Sequence, residues 1–211
     1  MRWSQQMARS TTIDTDNGLT WTNHRRSLPC VRVVAGDLRG RRIEAPTTEA
    51  TRPTTDKVRE AVFNSLRSMD VVEGARVLDL FAGTGAMGIE ALSRGAAHCV
   101  FVESDRAALA VLRTNLQQLG IADKSTVISG DAVMQASQQQ GIDLLIADPP
   151  YGYKDWAKLL VGVTAGLVVL ESDREVGDIE GWDTVRAKKY GRTHVAFLQC
   201  PTTPAGTVEG E

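Results

Sequence analysis

An apolar run that ends on closely spaced glycines limits this chain more than any other feature. Val77-Leu78-Asp79-Leu80-Phe81 reads as a strand, Ala82-Gly83-Thr84-Gly85 as a tight turn and Ala86-Met87-Gly88 as the start of a helix. That sequence of elements brings backbone N–H groups close to a ligand, because glycine alone allows so near an approach. Gly83, Gly85 and Gly88 spell GxGxxG, and Glu103 follows Gly83 by 20 residues, at the end of the next apolar run. A carboxylate there accepts hydrogen bonds from ribose hydroxyls. Taken alone, this constellation suits NAD as well as any other nucleoside cofactor.

Beyond Gly74, short apolar runs alternate with helical segments, the pattern of successive βαβ units and a mainly parallel sheet. The spacing predicts strands over Arg76 to Phe81, Cys99 to Val102, Thr126 to Ile128, Asp143 to Ala147 and Leu167 to Leu170. Between Arg106 and Leu119, Leu109, Leu112, Leu116 and Leu119 form one helical stripe, with Asp105 as cap and Gly120 as stop. The runs Thr184 to Lys189 and Thr193 to Cys200, joined by Tyr190-Gly191-Arg192, predict an antiparallel hairpin at the sheet edge. The fold class is therefore α/β and Rossmann-like.

Upstream, VRVVA and RRIEA flank Gly36-Asp37-Leu38-Arg39-Gly40 and predict a small β-hairpin. In TTDKVREAVFNSLRSM, residues Val58, Ala61, Val62, Leu66 and Met69 have helical spacing, with Thr54 as N-cap and Asp56 in the first turn. Residues 1–28 are polar and aperiodic and are expected to form a flexible extension, followed by a basic hairpin-and-helix unit over 29–72, the main domain over 73–200 and a flexible tail over 201–211. A chain of 211 residues with 42% hydrophobic content suits one principal domain. Charge is unevenly spread: Arg25 to Arg67 holds ten Arg/Lys against five Asp/Glu, whereas Ser68 to Glu211 holds twelve against nineteen. Cys30, Cys99 and Cys200 are widely spaced and form no CxxC, so neither a disulfide framework nor a metal site is expected. No apolar run of signal-peptide or membrane-spanning type occurs, and a cytoplasmic, monomeric protein is expected. Trp156 and Trp182 read as packing residues; His24, His98 and His194 are isolated.

Asp79 separates the cofactor readings. A carboxylate just before the glycine turn repels a pyrophosphate, whereas S-adenosyl-L-methionine brings a sulfonium and an ammonium to that place. Asp131, ending the third strand, is a candidate acceptor for the adenine amino group and equally a helix cap. Asp148-Pro149-Pro150-Tyr151 ends the fourth strand beside the same crevice. Its two prolines fix φ and remove donors, leaving acceptors aimed outward. An exocyclic amine on a base is a poor nucleophile, its lone pair being delocalised into the ring. Acceptors on its two hydrogens, here the Asp148 carboxylate and the Pro149 carbonyl, favour pyramidal nitrogen. Tyr151 offers a ring on which an extruded base stacks. A carbon-5 enzyme needs a cysteine nucleophile at this place, and no motif supplies one.

DLFAGTG together with DPPY resembles the class I S-adenosylmethionine-dependent amino-methyltransferases. VRVVAGDLRGRRIEAP, RPTTDKVREAVFNSL, VLDLFAGTGAMGIEALSRGA, FVESDRAAL, LESD and KKYG are similar to segments of the bacterial RsmD family, from about Val31 to Cys200. Members methylate the guanine N2 amino group of one 16S ribosomal RNA nucleotide. The resemblance implies a seven-stranded sheet with a C-terminal antiparallel hairpin and Asp148, Pro149, Pro150 and Tyr151 as catalytic loop. It implies cofactor contacts from Asp79, Phe81, Ala82, Gly83, Thr84, Gly85, Glu103, Ser104, Asp131 and Ala132, with Thr54 in the RPT segment over the cofactor. Arg39, Arg41, Arg42, Arg52, Lys57 and Arg59 then face RNA phosphates of the small ribosomal subunit. Two alternatives stand beside it: an adenine-N6 methyltransferase, since DPPY chemistry serves any exocyclic amine, and a non-catalytic RNA-binding assembly module.

Overall fold

A computed structural model of the chain describes residues 30–44 and 56–201. The predicted N-terminal extension, Arg52, Thr54, His24 and nearly all of the predicted tail lie outside the described residues. In chain order the elements are β1 (Cys30–Arg32), β2 (Arg42–Glu44), α1 (Asp56–Ser68), β3 (Arg76–Leu80), α2 (Ala86–Ser93), β4 (His98–Glu103), α3 (Arg106–Leu119), β5 (Ser125–Ser129), α4 (Ala132–Ala136), β6 (Ile142–Ala147), α5 (Trp156–Leu160), β7 (Ala165–Ser172), β8 (Asp183–Tyr190) and β9 (Thr193–Gln199).

Strands β3 to β9 form one sheet of order β5-β4-β3-β6-β7-β9-β8, parallel except for β9, which runs against both neighbours. The direction of strand order reverses between β3 and β6, where Leu80 pairs with Ala147, so the crevice beyond their carboxyl ends is the topological switch point. All five predicted parallel strands are present. Several extend further because their end residues, such as His98, Glu103, Ser125 and Ser129, are polar and invisible to an apolar-run reading.

Alternation along the strands divides the core into two layers. Val77, Phe101, Leu144, Ile146, Val169 and Phe197 pack under α1, α2 and α3. Leu78, Leu80, Leu145, Val168, Leu170 and Leu198 pack with Trp156 and Leu160 of α5 and Ala132 and Ala136 of α4 on the other face. Helix α3 has the boundaries its stripe predicts. The Asp105 carboxylate accepts from the Ala108 N–H at 2.8 Å, and Gly120 closes the helix at φ 72°. Gly88 is a packing glycine: a Cβ there lies 2.3 Å from the Phe101 ring and 2.6 Å from Cys99 Sγ, so α2 can approach β4 only without a side chain.

The small β1–β2 hairpin docks on α2 and α3 through buried polar groups. Glu90 accepts from Val34 and Ala35 N–H at 2.8 and 3.0 Å, and Ser93 Oγ accepts from Leu38 N–H at 3.0 Å. Arg59, expected on RNA, belongs to this joint instead. It is 0% exposed, pairs with Asp56 at 2.8 Å and lies 3.5 Å from Glu90, itself bonded to Arg94 at 2.7 Å. The reason is register: Arg59 shares the buried stripe with Val62, Phe63 and Leu66, at i+3, i+4 and i+7.

Candidate active site

At the carboxyl rim of β3 the chain leaves the strand through Phe81, a non-glycine residue in the left-handed region at φ 59°. Such a conformation costs about 1–3 kcal/mol and is kept where surrounding contacts dictate it. Here the Phe81 ring lies edge-on to Tyr153 at 5.5 Å, and Tyr153 lies edge-on to Trp156 at 4.9 Å. The glycine turn and the loop after β6 are thereby tied through one aromatic chain. Tyr153, two residues past the DPPY motif, joins the two loops of the candidate site and is missed by motif reasoning; its aromatic character beside Pro-Pro-Tyr-Gly is the available signal.

Glu103, at the end of β4, organises the turn. Its Oε2 accepts from Gly83 N–H at 2.7 Å and its Oε1 from Ser104 and Asp105 N–H at 2.7 and 2.8 Å. A carboxylate has about four acceptor sites, so after three backbone bonds one remains for a hydroxyl. Gly83 and Gly85 stand at φ 55° and 87°. A Cβ on Gly85 would come 2.5 Å from Leu112, so both freedom and space demand glycine there.

Asp79 is 2% exposed and lies on the α2 side of the sheet, where its Oδ2 accepts from Gly88 N–H at 2.8 Å. Its carboxyl is pushed up to about 7, chiefly by burial and further by the negative charges of Asp148 and Glu103, against the lowering effect of the Gly88 bond. These three acids therefore share one field, as the motif spacing predicts. Asp131 sits one strand further out and its carboxylate accepts from Met134 N–H at 3.0 Å, so it caps α4. It also adds to the upward push on the Tyr153 phenol, after burial and Asp155. Ala82 and Ala132 are buried, while Thr84 is half-buried and Ser104 exposed.

In the loop after β6, Pro149 is buried, Pro150 exposed and Tyr151 66% exposed. The Pro150 carbonyl accepts from Tyr153 N–H at 3.3 Å. Asp173, just past β7, is bonded twice to Arg174 at 3.1 Å, which holds its carboxyl below the usual carboxylate range, with a smaller lowering effect from the Gly152 N–H. A rigid loop of acceptors thus stands at the switch point with one open aromatic ring beside it.

Among the basic residues expected on RNA, Arg39, Arg41, Arg42 and Lys57 are exposed. The hairpin tip that carries Arg39 and Arg41 is fastened to the far ends of α2 and α3: Asp37 N–H donates to the Ser93 carbonyl at 2.8 Å, and Arg41 to the Gln118 carbonyl at 2.9 Å. Those helices run from the carboxyl rim toward the opposite edge of the sheet, which places the tip roughly one helix length, about 12 Å, from the glycine turn.

The donor set fits a nucleoside cofactor that carries positive charge. A carboxyl raised to about 7 chiefly by burial, and further by two neighbouring acids, is one whose ionised form a cation stabilises. Among the described residues no group of three His, Cys, Asp or Glu is placed to hold a metal ion. Nor is any helix among them long and apolar enough to cross a membrane.

Comparison with known proteins agrees with this geometry. The family model described as Conserved hypothetical protein 95 matches residues 31–199. A putative rRNA methyltransferase, YlbH of Bacillus subtilis, is 38% identical over 186 residues, 80% of this chain and 98% of that protein. The ribosomal RNA small subunit methyltransferase D of Escherichia coli is 40% identical over 121 residues, 57% of this chain and 60% of that protein. A solved structure of the putative methyltransferase yhhF from Escherichia coli superposes with a TM-score of 0.70 at 34% identity, covering 82% of this chain and 98% of that one.

Proposed function

We infer what this chain does from where it belongs, and it belongs to the family described as Conserved hypothetical protein 95, the RsmD family of ribosomal RNA methyltransferases. It is an S-adenosylmethionine-dependent enzyme acting on small-subunit rRNA, and we propose that the methyl group goes to the exocyclic N2 of one guanine. The observation that carries the amine chemistry is the acidic, proline-stiffened loop Asp148-Pro149-Pro150-Tyr151 at the switch point, beside the Glu103-braced glycine turn.

Glu103 and the turn from Phe81 to Gly85 would hold the nucleoside part of the cofactor, Asp131, Ala132 and Ser104 its base, and Asp79 its cationic end. When bound, the cofactor supplies an electrophilic methyl on sulfonium. Asp148 Oδ and the Pro149 carbonyl accept the two N–H bonds of the target amine and so free its lone pair. Tyr151, open to solvent, stacks on the extruded base, a contact worth about 1–3 kcal/mol. Displacement at carbon needs no enzyme-bound intermediate, and the amine proton that the methyl replaces would leave through the Asp148 carboxylate to solvent, so orientation supplies most of the acceleration.

Tritiated S-adenosylmethionine offered with small ribosomal subunits from a methylation-deficient strain should place label in N2-methylguanine. Label in N6-methyladenine, or none at all, would contradict the guanine assignment.

A further inference from the structure

The basic hairpin tip with Arg39 and Arg41 faces the wrong edge of the sheet to hold RNA beside Asp148. The carboxyl rim carries a different basic group. β8 runs parallel to β7, so its last residues, Lys188, Lys189 and Tyr190, come to the same rim as the catalytic loop. The rim is continuous across the strands: Ser172 pairs with His194, and His194 pairs with Lys189, while the Gly152 N–H of that loop is among the groups that lower the Asp173 carboxyl beside Ser172. Two strand spacings of about 4.8 Å separate Ser172 from Lys189, so the lysine stands about 10 Å along the rim from the end of β7. Arg192, in the turn, is exposed.

β8 is the edge strand of the sheet, and its eight residues are all exposed or half-buried, Val185 at 46%. Arg186 reaches Ser68 of α1 at 3.3 Å and Tyr190 packs against the core, whereas Lys188 and Lys189 are exposed. A groove of about 240 Å³ opens beside β8, lined by Glu175, Val176, Ala187, Lys188, Lys189 and His194 among others. Lysines on an edge strand also discourage strand-to-strand aggregation. That role, however, needs neither Arg192 in the turn nor His194 on the inner strand.

We propose that the outer hairpin β8–β9 is the surface that holds the rRNA backbone next to the target nucleotide, with Lys188, Lys189 and Arg192 on its phosphates. The inference rests on the rRNA reading above and adds to it the place of docking. Phosphate contacts set register and supply affinity, whereas the DPPY loop holds the target amine. On this view Arg39 and Arg41 engage a more distant part of the same RNA.

Charge reversal separates the two roles, since Lys→Glu still blocks an edge strand but repels phosphate. In the full chain, K188E/K189E/R192E should weaken binding to small-subunit rRNA by about a hundredfold at low salt and flatten the slope of log affinity against log salt by about two to three. Affinity for S-adenosylhomocysteine and the melting temperature should match wild type, which shows that the variant is folded. Wild-type rRNA affinity and salt slope in the variant would overturn the proposal. So would a wild-type dimer, seen by sedimentation, that this variant dissociates, because β8 would then be a self-pairing edge. Wild type that neither binds nor methylates the rRNA would sink the rRNA reading itself, a result read from the unmutated protein alone.

Discussion

The side-chain amide of Asn115 donates to the Thr84 carbonyl at 3.1 Å, joining α3 to the glycine turn. The same buried amide donates to the Glu44 carbonyl at 3.1 Å, and its oxygen accepts from Glu44 N–H at 2.9 Å. One side chain therefore fixes the end of the N-terminal hairpin relative to the glycine turn. Asn115→Asp keeps the acceptor for Glu44 but sets a negative oxygen against two carbonyls. An unmade buried bond costs about 1–3 kcal/mol, so titration of S-adenosylhomocysteine should show affinity lowered by roughly tenfold or more. Asn115→Asp with wild-type affinity would remove Asn115 from the cofactor site.

Asp79 should make stability depend on pH and, as the proposed partner of the cofactor's cationic end, cofactor binding too. Its carboxyl is raised from 3.8 to about 7, first by burial. Below about pH 4 the group is protonated in folded and unfolded chains alike. As pH rises toward about 7, the unfolded chain ionises while the folded one keeps its proton, so the Asp79 contribution to stability falls across that window and levels off above it. Denaturant unfolding without cofactor should show the decline, and Asp79→Asn should flatten it. A cationic ligand favours the ionised form, so cofactor affinity should rise with pH through about 7 in wild type and not in Asp79→Asn. Parallel profiles for the two proteins would contradict the placement of the cationic end.

Arg59 should behave as a core residue. Removing one partner of a buried ion pair costs about 3–5 kcal/mol, and for a chain of this size that lowers the melting temperature by about 10 °C. Arg59→Ala should melt earlier by that order while retaining wild-type affinity for rRNA at low temperature. A variant with unchanged melting temperature and weakened rRNA binding would restore the surface role.

Features set by near neighbours along the chain are legible in the amino-acid sequence. The strand, glycine turn and helix around Gly83, the cap and stop of α3 at Asp105 and Gly120, and the terminal hairpin turning at Gly191 and Arg192 depend on periodicity and on residues a few positions apart. The joints that shape the site are not legible in this way, because they link distant positions. Asn115 meets Glu44 from 71 residues away, and Glu90 meets Val34 from 56. The inward turn of Asp79 onto Gly88 and the position of Arg41 at the far edge depend likewise on how α2 and α3 run across the sheet. Arg59 lies between these cases, since its helical register with Val62 and Phe63 is visible and its charge obscures it.

In the proposed mechanism Asp148 is the residue on which the amine chemistry turns. Asp148→Ala should abolish methyl transfer while leaving S-adenosylhomocysteine affinity within a few-fold of wild type. A rate near that of wild type would contradict its role as acceptor for the target amine.

Nucleoside mass spectrometry of 16S rRNA from a strain deleted for this gene tests the central claim most directly. The account predicts that one N2-methylguanosine is missing, that it returns on expression of the wild-type protein, and that Asp148→Ala does not restore it. An N2-methylguanosine content unaltered by the deletion, or loss of a methyladenosine instead, would contradict it.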